Sequence, residues 1–359
     1  MKLRLWSDVQ DVHNPVHIMV PPYQEEEFTN LIKSFSMPHT INMHNVQDIK
    51  HLGHNKERGA TGDDVGVVTL SDVGETYEGR VIKAVKISHK TGNRGVFIET
   101  GIHACEWIGP ATVLYILNEL LTSNNTEIRD IADNFDWYIV PSANPDGYEY
   151  SHTTDRLWRK TRSEYNATCY GVDPNRNWDF HWGEVGTSPD PCSRMYAGPE
   201  PLSEVEIRGL SQYITSVAER LDVYISLHSY GQLLMFPYGF TDDPVDNYDV
   251  LYNIAEKAAN SLTSVHGTVY KFGPIISTVY PASGSSLDWV KGVLNVTFTF
   301  AYELRDNGTY GDLLPANLII PSGEETLASV ITILQQARVP YCVLRSVQVV
   351  RLSNNYTNG

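Results

Sequence analysis

Two histidines and a glutamate have the residue types and spacing that a zinc site needs. His103 and Glu106 lie on one short turn in the segment GIHACEW, just after a strand-like run that ends at Thr100. Imidazole and carboxylate ligands suit zinc, but a catalytic zinc site needs a third protein ligand and an open position. His228, at the end of the apolar alternating segment YISLHSY, is a candidate for that ligand. The local spacing leaves open the alternative that His228 is an ordinary hydrogen-bonded residue at a strand end.

These residues must be positioned by an α/β fold, because strand-like and helix-like segments alternate from Val65 onward. The predicted elements are strands at 81–87, 95–100, 136–141, 222–228 and 293–304, and helices at 109–122, 203–221, 248–265 and 321–338. Capping boxes predict two helix starts, at Ser203 with Glu206 and at Ser322 with Glu325. Ligands of open α/β sheets bind at the carboxyl ends of strands, which is where both histidines are predicted to lie.

The composition excludes several classes of protein. Of the 359 residues, 42% are hydrophobic and 11% aromatic, which is typical of a globular chain and not of a disordered one. No run approaches about eighteen uncharged apolar residues, so we expect no membrane span. The net charge is −16, so we do not expect the basic surface that binds nucleic acid.

Residues 1–58 have the sequence pattern of a small separate unit. Its predicted elements are a strand at 15–20, an amphipathic helix at 23–35 and a strand at 39–46. The polar segment 54–64 is predicted to be an exposed linker, in which Lys56 and Arg58 offer cleavage points for a trypsin-like protease. The first ten residues lack the apolar region of a signal peptide.

Five further motifs follow HACEW in a fixed order: DRLWRKTRS, GVDPNRNWD, SLHSYGQL, YPASGSSLDW and YELRDNGTYG. From about Val67 to Val339 the chain resembles zinc metallocarboxypeptidases of the pancreatic carboxypeptidase A and B type, and VHIMVPP and MHNVQDI resemble that family's activation propeptide. The resemblance implies a mixed central β-sheet flanked by helices, preceded by a small α+β propeptide domain. It predicts a propeptide at 1–58, a catalytic domain at 59–339 and a tail at 340–359.

The resemblance also implies the chemistry, which is hydrolysis of the C-terminal peptide bond of a peptide or protein. His103, Glu106 and His228 would bind one zinc ion per chain. Glu303, in YELRD, would be the general base, and the alternative interpretation is a carboxylate paired with Arg305.

The remaining motif residues would hold the substrate. Arg159 would stabilise the oxyanion, and Arg176 would bind the terminal carboxylate as a bidentate fork, assisted by Asn175 and Tyr280. Leu287 stands where the basic-specific family members carry aspartate, and the other predicted pocket positions are uncharged: Met235, Gly239, Ile275, Val279, Ala282, Ser285 and Ala301. We therefore expect release of hydrophobic or aromatic C-terminal residues, because a buried lysine or arginine side chain would lack a counter-ion.

Several features point to the secretory pathway. The tripeptide Asn-x-Ser/Thr, the acceptor for N-glycosylation, begins at Asn124, Asn166, Asn295, Asn307 and Asn355. Cys169 and Cys192 flank a loop-like stretch, and the resemblance implies that they form a disulfide rather than two free thiols. We expect a secreted monomeric zymogen, activated by a trypsin-like protease, that binds substrate C-termini and neither nucleic acid nor membrane.

Two departures from the family qualify this expectation. Cys105 stands where the family usually has an arginine that assists substrate docking, and the family's first catalytic-domain helix has no counterpart between Arg58 and the strand near Val81. They keep open a non-catalytic peptide-binding relative or an inactive truncated isoform. A serine hydrolase is a weaker alternative, because the chain lacks the G-x-S-x-G nucleophile elbow.

Overall fold

The computed structural model describes residues 67–338, which fold around an eight-stranded sheet. The strands are β1 (Val68–Glu75), β2 (Val81–Ile87), β3 (Arg94–Thr100), β4 (Phe135–Val140), β5 (Leu221–Ser229), β6 (Leu233–Phe236), β7 (Lys271–Pro274) and β8 (Phe298–Leu304). The α-helices are α1 (Ile108–Thr122), α2 (Thr126–Asn134), α3 (Pro145–Thr153), α4 (Val205–Val217), α5 (Tyr248–His266), α6 (Ile275–Thr278), α7 (Ser286–Gly292) and α8 (Ile319–Ala337).

The sheet is mixed, with the strand order β1-β2-β4-β3-β5-β8-β6-β7. Strands β4, β3, β5 and β8 run parallel at its centre, and the pairs β1–β2, β2–β4 and β6–β8 are antiparallel. The central strands are buried along almost their whole length, which explains why their sequences are nearly continuous apolar runs. The predicted fold class, a mixed sheet flanked by helices, is confirmed.

Helices cover both faces of this sheet. Apolar side chains of α1, α5 and α8, including Ile116, Ile254 and Ile333, pack against one face. Residues of α4 and α7, including Leu210 and Val290, pack against the other. The sheet is therefore packed between two layers of helices, and the loops at the carboxyl ends of its parallel strands extend from a rigid core.

The predicted elements of the described region are present, with corrections at their ends. The predicted strand 293–304 begins only at Phe298, because Asn295 adopts a left-handed conformation with a φ of 53° that interrupts an extended chain. Both capping-box predictions are wrong. Glu204 precedes α4, while the Ser203 hydroxyl accepts a hydrogen bond from Asn177. Helix α8 begins at Ile319, so Ser322 lies inside its first turn and donates to the carbonyl of Leu318.

Several sequence predictions lie outside the described residues: the elements of residues 1–58, the linker, the tail with Cys342 and the acceptor site at Asn355. The segment between Arg58 and Val81 is described from residue 67, where it forms strand β1, so the absence of the family's first helix stays a prediction. Across residues 67–338, none of the helices is long and apolar enough to span a membrane.

Candidate metal centre and active site

The turn after β3 brings the first two candidate ligands into the interior. The strand ends at Thr100, and Gly101 has a φ of 67°, a conformation that side chains rarely adopt. A Cβ atom there would also lie 3.2 Å from the Cα of Ser142, so only glycine lets the chain pass between two loops. The turn leaves His103 and Glu106 each only 3% exposed just before α1 begins.

His228 reaches the same point from β5. It lies at the carboxyl end of that strand and is 4% exposed. Its Nδ1 is 3.1 Å from Nδ1 of His103 and 3.0 Å from Oε2 of Glu106, and His103 Nδ1 is 2.7 Å from Glu106 Oε1. Two imidazole nitrogens and a carboxylate thus converge on one point. Within residues 67–338, this is the group of side chains that could hold a metal ion.

The donor set and its dimensions fit zinc. Ligands bound at about 2.0–2.1 Å with tetrahedral angles lie roughly 3.3 Å from one another, and the three observed separations of 2.7–3.1 Å need only a small expansion. Burial would raise the pKa of Glu106, but the charges of His103 and His228 hold it well below its usual range. The buried carboxylate therefore stays ionised, as a metal ligand must.

Asp173, which was not among the predicted site residues, supports this cluster. Its Oδ1 is 3.2 Å from Nε2 of His103, and its Oδ2 accepts a hydrogen bond of 2.9 Å from Nε of Arg159. A carboxylate on the far nitrogen of a ligating histidine fixes the ring orientation and raises its basicity. The signal was present in the motif GVDPNRNWD, where an acid precedes Asn175 by two residues.

Glu303 lies beside His228 because β5 and β8 are parallel and these two residues are register partners. Burial and the negative charge of Glu106 raise the pKa of Glu303 to about 8, while His228 and Arg159 oppose the increase. The alternative interpretation, an ion pair with Arg305, is wrong: the Nε of Arg305 donates to Glu325 at 2.7 Å. Glu303 instead lines the same pocket as the two histidines.

Two arginine side chains, Arg159 and Arg176, line this pocket. Arg159 is held against the cluster, with Nη1 3.6 Å from Oε1 of Glu106. Arg176 is anchored by hydrogen bonds to the carbonyls of Gly186 and Asn175, and its Nη2 lies 3.5 Å from the hydroxyl of Tyr280.

The ring of Tyr280 is 43% exposed, so it lies at the mouth of the pocket. Asn175 is oriented from both ends. Its Oδ1 accepts from the backbone of Ser286, and its Nδ2 lies 3.4 Å from Nε2 of His228.

The pocket beyond these groups is neutral within the described residues. Leu287 lines it and is 2% exposed. Six of the seven other predicted pocket positions also line it, and the exception is Gly239, whose carbonyl accepts a hydrogen bond from the backbone of Ala282 behind the wall. Two further lining residues, Ser226 and Ser286, were not identified from the sequence.

The loop that carries Asp173, Asn175 and Arg176 is closed by a disulfide between Cys169 and Cys192, whose Cα atoms are 4.9 Å apart. The predicted bridge is therefore confirmed. Cys105 is a buried free thiol, and the Nη2 of Arg194 lies 3.8 Å from its sulfur. Arg194 follows Cys192 by two residues, so the bridge also positions this guanidinium.

The comparison with protein families gives a match over most of the chain. The family model described as "Zinc carboxypeptidase" matches residues 61–329, and the model described as "Carboxypeptidase activation peptide" matches residues 1–50. The chain belongs to the zinc carboxypeptidase family. It is a metallocarboxypeptidase, a hydrolase made as a zymogen, and its cofactor is one zinc ion.

Individual zinc carboxypeptidases resemble the chain along most of their length. "Zinc carboxypeptidase A 1" of Anopheles gambiae is 44% identical over 346 residues, covering 89% of this chain and 80% of the relative. "Carboxypeptidase B" of Astacus astacus is 50% identical over 267 residues, covering 74% of this chain and 88% of the relative. The crystal structure of carboxypeptidase A from Helicoverpa armigera superposes with a TM-score of 0.72 at 27% identity, covering 94% of this chain and 92% of that one.

Proposed function

We propose that this zinc carboxypeptidase releases hydrophobic or aromatic C-terminal residues, with His103, Glu106 and His228 as the zinc ligands and Glu303 as the base. The observation that carries the proposal is the shared pocket. It is lined by two of the three convergent ligands, His103 and His228, by the carboxylate of Glu303 and by the guanidinium groups of Arg159 and Arg176, and its remaining lining residues are uncharged. A cavity with an anion-binding guanidinium and a hydrolytic centre beside it suits a substrate that ends in a carboxylate.

Arg176 is the proposed carboxylate-binding residue. Its guanidinium offers paired donors that a carboxylate can accept in a bidentate fashion, and its position is fixed by two backbone carbonyls. Tyr280 can add its hydroxyl to the same carboxylate, and Asn175 presents an amide nearby. Holding the terminal carboxylate there leaves the side chain in the pocket and the scissile carbonyl towards His103 and His228.

The chemical step needs an activated water and a stabilised oxyanion. A zinc ion held by His103, Glu106 and His228 would supply a Lewis acid at this point and would make water a better nucleophile near neutral pH. Glu303 takes the proton of the attacking water and passes it to the leaving amine nitrogen. Arg159 donates to the oxygen that becomes negatively charged, and Asp173 holds the guanidinium in place for this.

The neutral pocket favours A-type specificity. Leu287 and its neighbours give an apolar wall, so an arginine or lysine side chain would lose its hydration without meeting a carboxylate on the wall. The similar proteins include one named carboxypeptidase A and one named carboxypeptidase B, so the prediction of specificity depends on the pocket and not on these names.

We further propose the domain division 1–58, 59–339 and 340–359, with cleavage near Lys56 or Arg58 releasing the propeptide. The matched ranges 1–50 and 61–329 support it. Secretion as a monomer is part of the same proposal. The four acceptor asparagines of the described region, Asn124, Asn166, Asn295 and Asn307, are all exposed, as glycosylation requires.

The decisive substrate test compares two peptides that differ only at the C-terminus, Phe or Arg. After limited trypsin digestion, the zinc-loaded protein should release Phe with the larger kcat/KM, and a chelator should abolish the release. Faster release of Arg would refute the pocket argument, and chelator-insensitive release would refute the metal mechanism.

A further inference from the structure

A buried carboxylate lies behind the closed end of the substrate pocket. Glu99, on β3, is 0% exposed, and three hydroxyl groups converge on its Oε1: Ser226 at 2.6 Å, Ser286 at 3.1 Å and Tyr224 at 3.2 Å. Its Oε2 is also buried and has no hydrogen-bond partner within the described region. Two elements, β5 with Tyr224 and Ser226 and α7 with Ser286, thus direct three hydroxyl groups to one acceptor.

This arrangement fixes the direction of the serine hydroxyl groups. A carboxylate only accepts hydrogen bonds, and a serine hydroxyl has a single proton to donate. The protons of Ser226 and Ser286 therefore point away from the substrate, towards Glu99. Both serines also line the pocket, and with their protons engaged by Glu99 their oxygens can only accept a hydrogen bond from a group in it.

The serines lie at the inner end of the pocket. Ser226 and Ser286 are each 1% exposed, whereas Tyr280 at the mouth is 43% exposed. The other lining side chains include the apolar Met235, Ile275 and Leu287. A C-terminal side chain that fits this pocket has an apolar body and a polar tip.

We propose that the Glu99–Ser226–Ser286 cluster makes the pocket floor a hydrogen-bond acceptor and selects a C-terminal residue with a donor at its tip, which is tyrosine in preference to phenylalanine. The phenol hydroxyl can donate to a serine oxygen that phenylalanine leaves without a donor. A lysine ammonium could also donate, but it would have to give up its water between apolar walls, which costs more than desolvating a neutral hydroxyl.

The inference rests on the proposed carboxypeptidase activity, and it is tested with acylated dipeptides that end in Tyr or in Phe. A net hydrogen bond between neutral groups predicts a kcat/KM for Tyr about 3- to 10-fold above that for Phe. A peptide ending in Lys should be cleaved more slowly than either. Equal rates for Tyr and Phe, or fastest cleavage of Lys, would overturn the inference while leaving the activity established. No cleavage of any of them would instead refute the proposed function.

The double variant Ser226→Ala/Ser286→Ala identifies the acceptors. It should bring the Tyr-to-Phe ratio to about 1, and a ratio that stays at the wild-type value would contradict the proposal. Ser283→Ala is the matched control, because Ser283 is equally buried in the loop just before α7 but bonds the backbone of Val185 and does not line the pocket. This control should keep the wild-type ratio.

A measurement on the wild-type protein covers the case in which the double variant does not fold. 4-Hydroxyphenylpropanoate and phenylpropanoate carry the carboxylate and the ring of the two substrates without a peptide bond. As competitive inhibitors, the hydroxylated compound should bind about 3- to 10-fold more tightly. Equal inhibition constants would contradict an acceptor floor.

Discussion

Replacing Glu206 with glutamine should change the way in which the stability of the protein depends on pH. Glu206 lies in the first turn of α4, and its side chain is almost completely buried. Its Oε1 accepts a hydrogen bond of 2.9 Å from the backbone of Tyr77, but its Oε2 is buried without a partner in the described region. Burial raises the pKa of this carboxyl from 4.5 to about 7.

The sign and size of the effect follow from that shift. Between pH 4.5 and about 7 the folded protein holds the proton of Glu206, whereas the unfolded chain has lost it. Stability from this group is therefore complete below pH 4.5 and is lost as the pH rises to about 7. At 1.36 kcal/mol per pKa unit, the loss is on the order of 3 kcal/mol. Glutamine cannot ionise, so Glu206→Gln removes the loss.

The assay is urea denaturation of the zinc-loaded protein at several pH values between 4 and 8. The free energy of unfolding of Glu206→Gln minus that of the wild type should increase with pH by roughly 3 kcal/mol and level off above about pH 7. If the new amide group itself changes the stability, it changes the free-energy difference by the same amount at every pH. The test is therefore the increase of that difference with pH. Glu256→Gln on α5, where the side chain is exposed, should give a flat difference. A flat difference for Glu206→Gln as well would refute the reasoning.

Three further predictions concern the site and its support. Glu303→Gln should lower kcat by about 10²–10⁴-fold while the zinc content, measured by atomic absorption, stays at the wild-type value; a kcat near wild type would exclude Glu303 as the base. Arg159→Ala should lower kcat by about 10²–10³-fold, and a rise in KM alone would mean that Arg159 binds substrate without stabilising the oxyanion. Cys169→Ser combined with Cys192→Ser should lower the free energy of unfolding by about 3 kcal/mol, because the bridge closes a loop of 23 residues; an unchanged melting temperature would contradict this.

The sequence pattern predicted that both candidate histidines lie at the carboxyl ends of apolar strands, and the family resemblance then implied that they and Glu106 bind zinc. His103 lies just beyond β3, and His228 is the second-last residue of β5; because these strands are parallel neighbours, their carboxyl ends meet at one edge of the sheet. Ordered motifs then added Glu303, and the parallel register of β8 explains why it lies beside His228. The α/β class followed from the alternation of strands and helices, and the mixed sheet was implied by the family resemblance.

The features that the sequence did not predict depend on contacts between distant segments. Glu99 looks like one residue of a buried strand, and only the fold brings Ser226 and Ser286 to its carboxylate. The capping-box prediction at Ser203 was wrong because local spacing does not show that the Ser203 hydroxyl accepts a hydrogen bond from the distant Asn177. Strand β1 was not predicted because its sequence, VTLSDVGE, is largely polar, as suits an edge strand.

The most direct test of the account is the zinc content of the purified protein and of its ligand variants. We predict one zinc ion per wild-type chain and a loss of both zinc and peptidase activity in His103→Ala and in His228→Ala. His181→Ala, which removes a partly exposed histidine paired with Glu184, should retain one zinc ion. A wild-type protein that hydrolyses peptides without zinc, or ligand variants that keep a full zinc ion, would contradict the convergence of these side chains on one catalytic metal.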